Sequence, residues 1–156
     1  MPNTIFAIDP GLNGAYAVWG EDGKIQEVGD LPRFSKHLNG AMLAKIIAVA
    51  NPLFCVIEQV GARPGQGVSS TFNFGCAYGV CIGTFMALDM PFDTVTPGTW
   101  KREMGIGKDK ERARQKAVQL HPEAAEFLGR KLDHNRAEAI LLAHYWSRRK
   151  MPVEEV

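Results

Sequence analysis

The sequence predicts an α/β fold: a mixed five-stranded sheet, three antiparallel strands followed by parallel ones, flanked by helices. Three observations carry this expectation. Three short strand-like segments open the chain and are joined by tight-turn residues. Strand-like runs then alternate with segments of helical period. Two of the apolar runs, Thr4–Ile8 and Leu53–Ile57, end abruptly in a carboxylate, Asp9 and Glu58. The element order βββαβαβα, closed by C-terminal helices, suits a mixed sheet covered by helices.

Residues 4–9 read as the first strand, ended by Asp9-Pro10-Gly11, and Gly14–Trp19 as the second. Asp22-Gly23 favours a hairpin, and Lys24–Gly29 is the third strand. Leu38, Met42, Ile46, Ile47 and Val49 recur at helical spacing, so 37–50 is a predicted helix, stopped at Asn51-Pro52. Residues 53–58 form the fourth strand. After the Gly-rich stretch 61–67, Ser69-Ser70-Thr71 supplies cap residues for a helix running to about Leu88. Pro91–Thr96 is the fifth strand, and Thr96-Pro97 starts a short helix to about Glu103. Met104–Gly107 is a linker, Asp109–Leu120 a basic helix, and about His134–Arg149 the last helix. The expected organisation is one domain over 1–150 with a short tail, 151–156.

Hydrophobic residues make up 46% of the chain and charged residues 22%, which excludes a disordered or fibrous class. No apolar run reaches the roughly 18 residues of a membrane span. The first residues lack a charged segment before the short apolar run, so a cytoplasmic location is the default expectation. Cys55, Cys76 and Cys81 are an odd, scattered set: no disulfide framework, no zinc spacing, and three buried thiols expected. Net charge is +1 but uneven: 101–116 carries +4 and 130–150 another +4, leaving −7 elsewhere. Such an asymmetry suits a polyanion on one face; on charge alone, two solvated helices with basic outer faces are the simpler explanation.

Asp133 and Glu138 open the apolar C-terminal helix and join Asp9 and Glu58 as acids set beside the core. A buried carboxylate left uncompensated is costly. One is ordinarily a cap or an ion-pair partner, whereas several that converge suit a hard divalent cation held by oxygen. Metal-assisted phosphodiester hydrolysis is therefore the chemistry these acids suggest.

Ile8-Asp9-Pro10-Gly11-Leu12 resembles the first acidic motif of RuvC-type Holliday junction resolvases, and Val56-Ile57-Glu58-Gln59-Val60 their second. Asn73-Phe74-Gly75, with Gly79 and Gly83, resembles the glycine-bearing helix that follows. Thr96-Pro97-Gly98-Thr99-Trp100-Lys101 and Gly105-Ile106-Gly107-Lys108-Asp109-Lys110 resemble the next strand end and lysine-bearing loop; Asp133–Ala139 resembles the closing acidic motif. The resemblance runs in order over about 4–146. It implies an RNase H-like fold, a homodimer, and Mg²⁺-dependent incision of branched DNA, the four-way junction above all. Mn²⁺ is expected to substitute, and two ions about 4 Å apart would be held by Asp9, Glu58, Asp133 and Glu138.

The closing motif departs from the family pattern, in which two ligands stand three residues apart. Three before Glu138 is Asn135, a poorer ligand for a hard cation; His134 lies four before and Asp133 five. Asp133 is the expected fourth ligand because charge matters most for Mg²⁺, with capping of the helix as its competing role and His134 as the alternative. Lys101 is expected to stabilise transition-state charge. Lys101, Lys108 and Lys110, then Arg63 and Arg136, are candidate phosphate contacts. Phe72 and Phe74 are candidates for stacking on an unpaired base, against a core-packing reading. Trp100, Tyr145 and Trp146 are expected in the core or a dimer contact, and Arg148–Lys150 as a solvated helix end. Rivals are another nuclease of this fold acting on forks, flaps or RNA, and a non-catalytic junction-binding scaffold. A sugar-kinase or actin-type nucleotide site needs two domains, and the chain is too short for them.

Overall fold

The computed structural model describes residues 4–150; the tail predicted at 151–156 lies outside the described residues. Seven strands and five α-helices follow one another as β1 Ile5–Asp9, β2 Ala15–Trp19, β3 Ile25–Asp30, β4 Arg33–Phe34, β5 His37–Leu38, α1 Gly40–Ala50, β6 Phe54–Glu58, α2 Val68–Ala87, β7 Phe92–Val95, α3 Pro97–Met104, α4 Lys110–Leu120 and α5 His134–Lys150. Two 3-10 segments, Pro122–Leu128 and Lys131–Asp133, link α4 to α5.

The main sheet has five strands in the order β3-β2-β1-β6-β7. β1–β2 and β2–β3 are antiparallel, and β1–β6 and β6–β7 parallel. This is the mixed sheet the sequence predicts. Side chains alternate across a sheet, and here both faces are covered. Ile5, Ala7, Ala17, Trp19, Val56 and Val95 meet one core with α3, α4 and α5. Phe6, Ile8, Tyr16, Val18, Cys55 and Ile57 meet a second core with α1 and α2. β1 is therefore buried throughout. α5 is buried without a break from Ala139 to Trp146, which is why its sequence shows no clean polar face. No helix among the described residues is long and apolar enough to cross a membrane.

Two departures from the expected elements matter for the site. The predicted helix start at 37 falls in a small hairpin, β4–β5, and α1 begins at Gly40 under the Asn39 side chain, which accepts from the Met42 N–H at 3.0 Å. The stretch before α5, to which the sequence reading assigned no element, forms two 3-10 segments. Cys76 is exposed, on the outer side of α2, so only Cys55 and Cys81 are buried thiols. Trp100, Tyr145 and Trp146 are core residues as expected.

Candidate metal centre

The pleat explains why two of the acids meet. Ile5, Ala7 and Asp9 point to one face of β1, and Phe54, Val56 and Glu58 to the same face of β6, the face covered by α5. The parallel register sets Ile8 beside Ile57, so the next residues, Asp9 and Glu58, leave adjacent strand ends together. α5 crosses the same face and brings Glu138. Ligand oxygens of Asp9, Glu58 and Glu138 all lie within 4.8 Å of one another. Among the described residues this is the group of acidic, histidine or cysteine side chains able to hold a metal ion.

Backbone at the rim is shaped for close approach. Gly11 holds a φ of +135°, a region L side chains rarely enter, and a Cβ there would meet the Phe74 ring at 3.1 Å. A Cβ on Gly14 would lie 2.2 Å from the Asp9 carbonyl oxygen, so only glycine fits that turn.

The electrostatics are those of crowded acids. Burial, then the Glu138 and Glu58 charges, push the Asp9 carboxyl well above its ordinary range. Burial also raises Glu58, against the opposing pull of Lys101. The Lys101 ammonium lies 3.0 Å from Glu138 Oε1. Burial alone would lower its pKa, but Glu138 and Glu58 hold it above the ordinary lysine value. Glu58 Oε2 is buried with no hydrogen-bond partner. The Trp100 indole favours the charged form of Glu58, yet its N–H stays short of hydrogen-bond geometry. An orphaned buried carboxylate oxygen beside two further carboxylates is a donor set that fits a hard divalent cation.

Asp133 does not join this group. Its carboxylate accepts from the Arg130 backbone N–H at 2.7 Å and from the Arg130 guanidinium at 2.8 Å, which closes the 3-10 turn before α5. Burial raises its pKa, but these donors outweigh burial and leave it below the ordinary carboxylate range. The helix period gives the reason: five residues before Glu138 is about 140° around the axis. The expectation of Asp133 as fourth ligand is therefore corrected to a capping role. His134 is likewise turned away, its Nδ1 3.2 Å from the Lys131 carbonyl oxygen. Asn135, one turn before Glu138, donates through Nδ2 to the Asn13 carbonyl oxygen at 2.8 Å and so ties α5 to the loop after Asp9. Sequence reading weighed Asn135 only as a ligand and missed this strut.

Arg136 is also corrected. Its guanidinium donates to both Asp30 carboxylate oxygens, at 2.8 and 3.1 Å, and to the Phe127 carbonyl oxygen at 3.0 Å. Three of its five N–H donors are engaged at the end of β3, so the structure places it as a clamp between β3 and the segment before α5. Arg149 pairs with Glu103 and stacks on Tyr145 instead of standing free. Arg63, Lys108 and Lys110 are exposed. Phe72 and Phe74 are 69% and 39% exposed, so core packing does not hold for them. Phe74 also lines a shallow hollow with Val60, Ala62, Gln66 and Tyr78, just beyond the end of β6.

No family model matches the sequence, and no curated protein matches it at the sequence level. Solved structures do. Thermus thermophilus RuvC in complex with a Holliday junction substrate matches over 93% of this chain and 95% of its own, at 12% identity and a TM-score of 0.68. The yeast mitochondrial Holliday junction resolvase Ydc2 matches over 92% of this chain and 77% of its own, at 15% identity and a TM-score of 0.62. The fowlpox virus Holliday junction resolvase matches over 93% and 98%, at 16% identity and a TM-score of 0.60. At such identities likeness speaks for fold: this chain has the RNase H-like fold of the RuvC-type Holliday junction resolvases.

Proposed function

We propose that this chain is a metal-dependent, structure-selective endonuclease that resolves four-way DNA junctions. The observation that carries the reading is the convergence of Asp9, Glu58 and Glu138 at one end of a RuvC-like sheet. Asp9, Glu58 and Glu138 would hold Mg²⁺ or Mn²⁺, one or two ions, through carboxylate oxygens. Bound there, the metal supplies Lewis acidity toward the phosphodiester and an activated water. The side chains do the rest. Glu138 would serve as a metal ligand, and Lys101, 3.0 Å from Glu138 Oε1, would offset phosphate charge that builds during in-line attack. Cleavage would leave a 5′-phosphate and a 3′-hydroxyl. Arg63, Lys108 and Lys110 lie exposed for backbone contacts, and Phe72 and Phe74 for stacking on an unpaired base.

The chain is proposed to act as a homodimer, since a two-fold pair of sites matches a two-fold substrate and gives paired nicks. Support comes from the outer side of α2, where Val68 and Met86 are 88% and 65% exposed. Apart from the helix's own backbone and the chain neighbours, no atom lies within 4 Å of a Cβ placed on Gly75, Gly79 or Gly83 of the same helix, which leaves room for a second copy.

The test is incubation of end-labelled four-way junction, fork, flap and linear duplex with Mg²⁺ or EDTA, beside Glu58→Gln. Symmetric Mg²⁺-dependent nicks on the junction, reduced at least about a hundredfold in the variant, are expected. Equal cutting of forks and flaps widens the substrate class. Junction binding without any cutting makes the chain a scaffold.

A further inference from the structure

The hairpin β4–β5 gives the second core only Leu38, and the composition of the rest is unusual. Arg33, Phe34, Ser35, Lys36 and His37 are five consecutive exposed residues, with two cations, an imidazole and an aromatic ring, and no acid. Phe34 is 72% exposed and pairs across the turn with His37. Ser35 takes a φ of 55°, the left-handed conformation that a two-residue turn demands. Such an exposed ring means little alone; here the hairpin is firmly held at its base. The Asn39 N–H donates to the Pro32 carbonyl oxygen at 2.8 Å, and Leu38 is buried in the core under α1 and α2.

The base of the hairpin is also joined to the acidic site. Arg33 Nη1 donates to Asn13 Oδ1 at 3.1 Å, and Asn13 in turn accepts the Asn135 strut from α5. Asp30, three residues before Arg33, pairs with Ala15, which pairs with Asp9. The hairpin therefore projects from the same sheet end as Asp9, Glu58 and Glu138, and like the lysine-bearing loop at 105–110 it is net cationic.

We propose that this hairpin is a DNA-contacting finger: Lys36 and Arg33 meet backbone phosphates beside the cleavage site, and the Phe34 ring stacks on a base exposed at the branch. The inference rests on the nuclease reading above. A polyanion is favoured over a protein partner because the segment offers cations and no carboxylate. Stacking needs only a base's π-face and is sequence-tolerant.

The test uses the full chain in EDTA. Binding of a fluorescent four-way junction and of linear duplex is followed by anisotropy over a salt series, for the unaltered protein, Phe34→Ala and Lys36→Ala. A junction with 2-aminopurine at the branch reports stacking directly. Phe34→Ala is expected to weaken junction binding about tenfold and abolish the 2-aminopurine response. Lys36→Ala is expected to lower the salt slope by about one. Both variants should keep the unaltered melting temperature, oligomeric state and Mn²⁺ affinity. Unchanged junction binding in both variants overturns the finger and leaves the nuclease reading standing, provided the unaltered protein binds and cuts junctions. Dissociation of an oligomer by Phe34→Ala overturns it in favour of a contact between copies. Failure of the unaltered protein to bind any branched DNA overturns both readings.

Discussion

Glu58 and Asp133 show how two buried carboxylates on one chain take opposite roles. Glu58 has an oxygen with no partner and a pKa raised by burial; Asp133 is saturated by Arg130 and held low. For a group whose folded pKa is raised, the folded chain binds more protons than the unfolded one, so stability falls as pH rises above the ordinary carboxylate value. Metal-free Glu58→Gln should accordingly melt a few degrees higher than the unaltered chain near neutral pH, by differential scanning calorimetry in EDTA. Asp133→Asn should do the reverse: it strands Arg130 and opens the turn before α5, at a cost of about 1–3 kcal/mol in denaturant unfolding. The three acids that meet were legible in the sequence because each ends or edges an apolar segment. Asp133 was not distinguishable from them by residue type. Only helix phase and the neighbouring Arg130 decide its role, and Arg136 was equally opaque because its partner Asp30 lies 106 residues away.

Among the elements, strands and long helices followed from period and punctuation. Asp22-Gly23 does make the predicted turn, with Gly23 at a φ of +76°. The hairpin β4–β5 escaped notice because two-residue strands have no alternation to read, and because Ser35, not glycine, takes the left-handed position. The same ambiguity shifted the start of α1 by three residues, where the Asn39 cap is the true signal. α2 carries a prediction of its own. Gly79 has open space around its Cβ position, so Gly79→Glu should leave the fold intact or slightly stabilised by helix propensity. Placed on the exposed face with Val68 and Met86, the charge should convert a dimer to monomers in sedimentation velocity at micromolar concentration. Unchanged dimers would place the contact elsewhere.

For the whole molecule, the sheet has two chemically different ends. The acidic end carries Asp9, Glu58 and Glu138. Below the other end, Trp19 packs edge-on against His121 and His144. His121 Nδ1 lies 2.9 Å from Glu123 Oε1, and His121 Nε2 lies 2.8 Å from His144 Nδ1. The arrangement is consistent with Glu123 accepting from His121, and His121 accepting from His144, which leaves the buried Nε2 of His144 a bare lone pair. Burial, then the charges of His121, Arg148 and Lys116, push His144 down to about 4. Between that value and the ordinary histidine pKa the unfolded chain binds the extra proton, so stability falls as pH drops through this window. A loss of about 2 kcal/mol from pH 7 to pH 4.5 is expected in urea unfolding, and most of it should vanish in His144→Gln.

The most direct measurement is Mn²⁺ binding by isothermal titration calorimetry to the unaltered chain, Glu58→Gln, Glu138→Gln and Asp133→Asn. Binding should be retained in the unaltered chain and in Asp133→Asn, and weakened at least about tenfold in Glu58→Gln and Glu138→Gln. Proton release should accompany binding, because the raised carboxyls of Asp9 and Glu58 must ionise to coordinate. Full affinity in Glu58→Gln, or its loss in Asp133→Asn alone, would contradict a metal centre built from Asp9, Glu58 and Glu138.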